Sequence, residues 1–191
     1  MKNTSSIVNF LFEIASLRRI IRSQCQVIEK TSDNVSDHSF RVAIIGMILA
    51  KLEKADENKV MKMCLFHDIA EARTGDANFV NKFYTKLKEK QAVKDQLENI
   101  PNSSEIISLF KEYEQRKTKE SIIAKDADIL DQMILQQEYF LNDEKNKKTW
   151  QVFSKKYIKT KSAKKIAETI EKTNPLQWIY SIAEKNKVDY K

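Results

Sequence analysis

At 191 residues the chain suits a single domain able to bury on the order of 70% of its unfolded surface. Two glycines and two prolines leave few turns, which excludes a strand-rich sandwich or barrel and favours an all-α bundle. Charged residues make up 32% and alternate with apolar ones at helical spacing, which excludes disorder, and the net charge of +7 is a mild bias toward anionic partners.

The first predicted helix runs from Ser5 to about Arg22, on a stripe of Ile7, Phe10, Leu11, Ile14 and Leu17. Arg18, Arg19 and Arg22 close it at the negative end of its dipole. Ser23 to Val35 lacks such a pattern and reads as a connection. Ser36 is expected to cap a second helix, Asp37 to about Lys54. His38 falls in its first turn, with Phe40, Ile44, Ile45, Ile48 and Leu52 filling the core below. Asp56 caps a third helix, predicted to about Arg73, and Gly75 in Thr74-Gly75-Asp76 breaks it. A fourth spans Asn78 to Asn99, ahead of Pro101. Ser103 or Ser104 opens another to about Arg116, and Thr118 caps a long helix to about Leu141. Asn146 to Val188 is Lys-rich and reads as two or three amphipathic helices that cover the core, with Trp150 and Trp178 inside it.

Cys25 and Cys64 are too few for a disulfide framework and fit no zinc spacing. The N-terminal apolar run, Ile7 to Phe12, carries no cleavage-type motif, and Val42 to Ala50 is too short to span a bilayer. The expectation is a soluble, cytoplasmic protein with no membrane and no nucleic acid among its partners.

Chemistry concentrates in Met63-Cys64-Leu65-Phe66-His67-Asp68-Ile69-Ala70-Glu71. As a helix this stretch is apolar nearly all round, the pattern of a buried element. At about 100° per residue, His67, Asp68 and Glu71 share one arc. An imidazole and two carboxylates on a buried face need a partner, since an unpaired buried charge costs several kcal/mol, and a metal ion suits that donor set. The chain's other histidine, His38, also precedes a strongly apolar run.

His38, then His67-Asp68, then Ala127-Asp128-x-Leu130-Asp131 resembles the motif order of the HD superfamily of metal-dependent phosphohydrolases. Val35-Ser36-Asp37-His38-Ser39, the run from His67 through Glu71 to Thr74-Gly75-Asp76, and Glu112-Tyr113-Glu114 followed by Lys125-x-x-Asp128 resemble its 5′-deoxynucleotidase-like branch. The resemblance covers roughly residues 10 to 140, with a helical extension at about 146 to 188. It departs from that branch where a tryptophan usually precedes the first histidine; here Ser23-Gln24 follows Arg22.

The resemblance implies an HD-type helical bundle whose metal ligands are His38, His67, Asp68 and Asp128. Helix periodicity alone selects Asp126 as the inward carboxylate of its segment; the motif selects Asp128. One divalent transition metal, whether Mn, Fe, Co, Ni or Zn, suits the nitrogen and oxygen donors. Glu71 is expected to act on a water without ligating the metal, and Asp76 either to position that water or to bind the sugar. Arg22, Arg73 and Thr74 are candidate substrate contacts. The implied reaction is hydrolysis of (deoxy)nucleoside 5′-monophosphates to nucleoside and phosphate. The rivals are nucleotide pyrophosphohydrolysis and nucleotide sensing without turnover, and a homodimer stays open.

Overall fold

The computed structural model describes residues 4–27 and 33–187, with only the backbone at Gln26 and Val27. The described residues form helices, and a lone bridge between Ile21 and Asn34 is the extended pairing among them. In order they are α1 (Thr4–Ala15), a 3₁₀ turn (Ser16–Arg19), α2 (Ser23–Val27), α3 (Val35–Glu53), α4 (Glu57–Phe66) and α5 (Glu71–Thr74). Then follow α6 (Phe79–Tyr84), α7 (Glu89–Gln96), α8 (Ser103–Gln115), α9 (Lys119–Tyr139), α10 (Glu144–Lys155), α11 (Lys161–Ile170) and α12 (Gln177–Lys185). The fold is all-α.

The centre is the packing of α3 on α4 and α9, with α8 beside α4 and α10 and α11 laid on α9. Val42, Leu49, Val60, Met63, Cys64, Ile123, Leu130 and Met133 fill it. Gly46 allows the closest approach: a Cβ there would lie 2.5 Å from Cys64 Sγ and 3.1 Å from Val60 Cγ1. A second cluster joins Ile69, Val93, Leu97, Ile106 and Phe110, with Ile7, Phe10 and Ile14 of α1 packed against it.

Several boundaries differ from the sequence reading. The first helix stops at Ala15 and tightens into the 3₁₀ turn. Within the expected connection, Ser23–Val27 is helical, and residues 28–32 lie outside the described residues. Asn34, not Ser36, caps α3 by accepting from the Asp37 N–H. The stretch expected to run unbroken to Arg73 stops at Phe66. His67 Nδ1 lies 2.6 Å from the Cys64 carbonyl, the acceptor that Asp68 N–H would use in a continuing helix. The backbone then tightens, with Ile69 N–H donating to Phe66 O and Glu71 N–H to Asp68 O. The helix expected over 78–99 splits at Thr85, which donates from Oγ1 to Asn81 O.

Two expectations about the core are corrected. Phe40, Ile44, Ile48 and Leu52 do not fill it; they are 42–64% exposed, while Val42, Ala43, Leu49 and Ala50 of the same helix are buried. Because α3 is apolar on both faces, periodicity could not say which face turns inward. Trp178 is exposed and Trp150 is half-buried against Phe140, so neither lies in the core.

Candidate metal and phosphate site

The two imidazoles come from α3 and from the turn after α4. His38 and His67 are both buried, with Nε2 atoms 3.3 Å apart. His38 Nδ1 donates to Asp131 Oδ2 at 2.7 Å, and His67 Nδ1 donates to the Cys64 carbonyl. In its neutral, metal-binding form each ring carries its proton on Nδ1 and turns a lone pair from Nε2 toward the other.

The carboxylates close around those lone pairs. Asp68 Oδ2 lies 3.1 Å from His67 Nε2 and 3.5 Å from His38 Nε2; Asp128 Oδ1 lies 3.4 Å from His38 Nε2. Ligands about 2.0–2.2 Å from one ion stand roughly 2.8–3.6 Å apart along a polyhedron edge, and the observed separations fall in that interval. His38, His67 and Asp128 offer donor atoms all within 4.8 Å of one another, and can hold a metal ion. Two opposed lone pairs and two carboxylates repel without a cation, so the donor set fits one. Burial and Arg22 push His38 down, yet hydrogen bonds to Asp128, Asp131 and Asp68 raise it to about 10.

The surrounding shell is built from several elements. Asp131 bonds His38 on one side and accepts from Arg41 Nε at 2.6 Å, and Arg41 also forks onto Asp33. Tyr113 OH donates to Asp128 Oδ2 at 2.9 Å, and Lys125 Nζ donates to the same oxygen at 2.6 Å. Burial opposes ionisation of Asp128, but Lys125 and the imidazoles hold it well below the carboxylate range. Asp68 is likewise held low against its burial by its contacts with His67, His38 and Arg22.

Arg22 bridges the two acidic positions, with Nη1 3.2 Å from both Asp68 Oδ2 and Asp76 Oδ2. Gly75 adopts φ 71° and ψ 163°, a backbone open to glycine, and turns Asp76 toward α2. There Asp76 accepts from Ser23 N–H at 2.9 Å and Ser23 Oγ at 3.1 Å. Glu71 is buried beside them, and its Oε2 has no hydrogen-bond partner among the described residues. Burial and the charges of Asp68 and Asp76 push its carboxyl up to about 10.

The site opens on a cavity of about 850 Å³ whose lining includes Arg22, His67, Asp68, Glu71, Asp76 and Asp128. Arg73 and Thr74 are not part of that lining. Arg73 forks onto Glu13 at the surface, and Thr74 Oγ1 donates back to Ala70 O. Asp126, which periodicity selects, is buried elsewhere and accepts from Lys159 N, Thr160 N and Thr160 Oγ1. The sequence places Asp131 in the same motif as Asp128, one helical turn on, but assigns it no role, and it does not point to Arg41. Nor does it anticipate that α10 lines the cavity.

A family profile described as "HD domain" matches residues 14–174. The chain belongs to the HD domain family. It is 35% identical over 120 residues to the 5′-deoxynucleotidase HDDC2 of Dictyostelium discoideum, covering 56% of this chain and 63% of that protein. It is 26% identical over 140 residues to the human 5′-deoxynucleotidase HDDC2, covering 70% of this chain and 68% of the relative. The aligned part thus spans about two thirds of these relatives. A conserved hypothetical protein of Pyrococcus furiosus superposes with a TM-score of 0.68 at 29% identity, over 87% of this chain and 99% of that one. A predicted metal-dependent phosphohydrolase of Magnetospirillum magnetotacticum shares the fold, with a TM-score of 0.67 at 21% identity over 90% of this chain and 95% of that one.

Proposed function

We propose that this HD domain hydrolyses (deoxy)nucleoside 5′-monophosphates to nucleoside and phosphate with the help of one divalent transition-metal ion. The observation that carries the reading is the pair of facing Nε2 lone pairs 3.3 Å apart, ringed by Asp68 and Asp128 beside a large cavity. The names of the HDDC2 relatives support the substrate class.

His38, His67, Asp68 and Asp128 would hold the ion, which when bound polarises a phosphoryl oxygen and acidifies water. With a cation bound to offset the Asp68 and Asp76 charges that keep Glu71 protonated, its unpartnered Oε2 would accept the proton of the attacking water and return it to the departing 5′ oxygen. Arg22 holds the Asp68 and Asp76 carboxylates in place, and their charges strengthen its hold on its own proton against burial. Asp76, anchored by Ser23 and Arg22, positions either the water or the sugar.

The same reading takes the chain as one domain in the cytoplasm, where its two buried thiols stay free. Among the described residues, no helix is long and apolar enough to cross a membrane. The exposed stripe Phe40, Ile44, Ile48 and Leu52 fits a second copy of this chain. Asp37 opens α3 and Lys51 lies in its last turn, so antiparallel copies set opposite charges together. Light scattering should then show a dimer that Ile44→Glu with Ile48→Glu converts to monomer; an unchanged mass overturns this contact.

Phosphate release from nucleoside mono-, di- and triphosphates, screened with Mn, Co, Ni, Fe and Zn, tests the reaction. Phosphate from monophosphates is expected. Pyrophosphate from triphosphates, with monophosphates untouched, would move the reading to pyrophosphohydrolysis. Glu71→Gln should lower kcat about 10²–10⁴-fold while the metal stays bound; loss of the metal would make Glu71 a ligand instead.

A further inference from the structure

The cavity does not end at the charged cluster. Phe79 of α6, Phe153 of α10 and Tyr157 just beyond α10 also line it. These rings are 64%, 63% and 48% exposed. Phe153 meets Tyr157 edge to face, with centroids 5.7 Å apart, and Phe79 meets Phe83 the same way at 6.5 Å. Edge-to-face pairs leave ring faces free, and a flat π-system can stack there.

The size of the cavity points the same way. At about 850 Å³ it lies in the upper part of the range for small-molecule sites, roughly 300–1,000 Å³. A phosphate at the histidine end occupies a small share of it. The same cavity thus offers charge and ligating atoms together with uncovered aromatic faces, the latter supplied largely by the C-terminal extension.

We propose that Phe79, Phe153 and Tyr157 form the subsite that holds the substrate's nucleobase by stacking while its phosphate lies at the His38–His67 end. This rests on the hydrolase reading above. Stacking on rings is tolerant of base identity, because every base has a π-face. The subsite therefore discriminates nucleotides from sugar phosphates more than one base from another.

The test compares deoxyadenosine monophosphate with 2-deoxyribose 5-phosphate, which lacks a base. Phe153→Ala and Tyr157→Ala should raise KM for the nucleotide by about 5- to 100-fold, with kcat near wild type. KM for the sugar phosphate should stay unchanged, and Phe153→Tyr should restore the nucleotide value. Equal effects on both substrates, or none on either, would overturn the subsite.

If the wild-type protein hydrolyses neither compound, the hydrolase reading fails and binding alone decides the subsite. Trp178→Phe leaves Trp150, a cavity-lining residue, as the single tryptophan of the chain. Chelator-treated protein of this kind is titrated with deoxyadenosine. A change in Trp150 emission that Phe153→Ala weakens supports the stacking site. A flat titration, or one that Phe153→Ala leaves intact, overturns it.

Discussion

Asp131 shows how a side chain outside the proposed ligand set can govern it. It accepts a hydrogen bond from His38 Nδ1 and is fixed in turn by Arg41, whose guanidinium is held by Asp33. Partners of this kind set the tautomer and raise the basicity of the ligating nitrogen, and their loss costs about 10–100-fold in metal affinity. Asp131→Asn should weaken metal binding by that factor, read by competition with a chelating dye, with the helical content unchanged. Unaltered affinity would mean that Asn34, α3 packing and Asp128 suffice to orient His38. At this scale much was legible in the sequence. His38, His67-Asp68 and Asp128 stand out as donor types in a familiar order, and the structure brings their atoms together. The direction of Arg73 was not legible. Whether a guanidinium two residues past Glu71 faces the cavity or Glu13 depends on how tightly the chain turns at His67, and that follows from one side-chain hydrogen bond to Cys64 O.

Helices deliver these groups, and their spacing is set by small residues and by a few ties between helices. Gly46 is where α3 meets α4, and its missing Cβ leaves room for Cys64 Sγ. Gly46→Ala gains helix propensity but forces the helices apart, and overpacking of this kind costs about 1–3 kcal/mol. Because His38 rides on α3 and His67 follows α4, the same shift should weaken metal binding. Cys64→Ala in the Gly46→Ala background should recover part of both losses, and a double-mutant cycle in urea measures it. Purely additive effects would mean that the strain is relieved elsewhere. Glu13 ties α1 to Arg73 of α5 and Gln96 of α7. Its carboxyl is lowered from 4.5, first by the Arg73 hydrogen bond. A lowered folded value means that the unfolded chain binds the proton more readily, so this contribution is present above about pH 4.5 and fades as pH falls through the folded value. The urea midpoint of Glu13→Gln should therefore lie below wild type at pH 7 and converge on it in acid. The helices themselves were largely legible from caps such as Asp56 and Thr118, both of which accept the expected N–H. Their interruptions were not, since Thr85 and His67 break them through local side-chain bonds with no glycine or proline to announce them.

On the scale of the whole molecule, the C-terminal helices are part of how the cavity is built. Gln136 of α9 meets Ser154 of α10, Gln137 meets Gln151, and Lys155 pairs with Glu171 of the turn after α11. Asp126 anchors this layer. It is 1% exposed, and its two oxygens accept Lys159 N at 2.9 Å and both Thr160 N and Thr160 Oγ1 at 2.7 Å. Thr160 is the residue that caps α11, so one buried carboxylate of α9 fixes where α11 begins. Periodicity correctly marked Asp126 as inward-facing; it could not say that the interior there is a helix start and not a metal. Asp126→Ala strands three donors at a buried junction, where hydrogen bonds to charged acceptors are worth about 1.5–3 kcal/mol each and are not additive. A loss of about 2–4 kcal/mol in urea is expected, with faster amide exchange confined to α10 and α11. Metal content, by elemental analysis, should remain at the wild-type level. Asp128→Ala should do the opposite, emptying the site while α11 keeps its exchange protection. Loss of metal from Asp126→Ala with full protection of α11 would reverse the two assignments and make the helical period the better guide to the ligand.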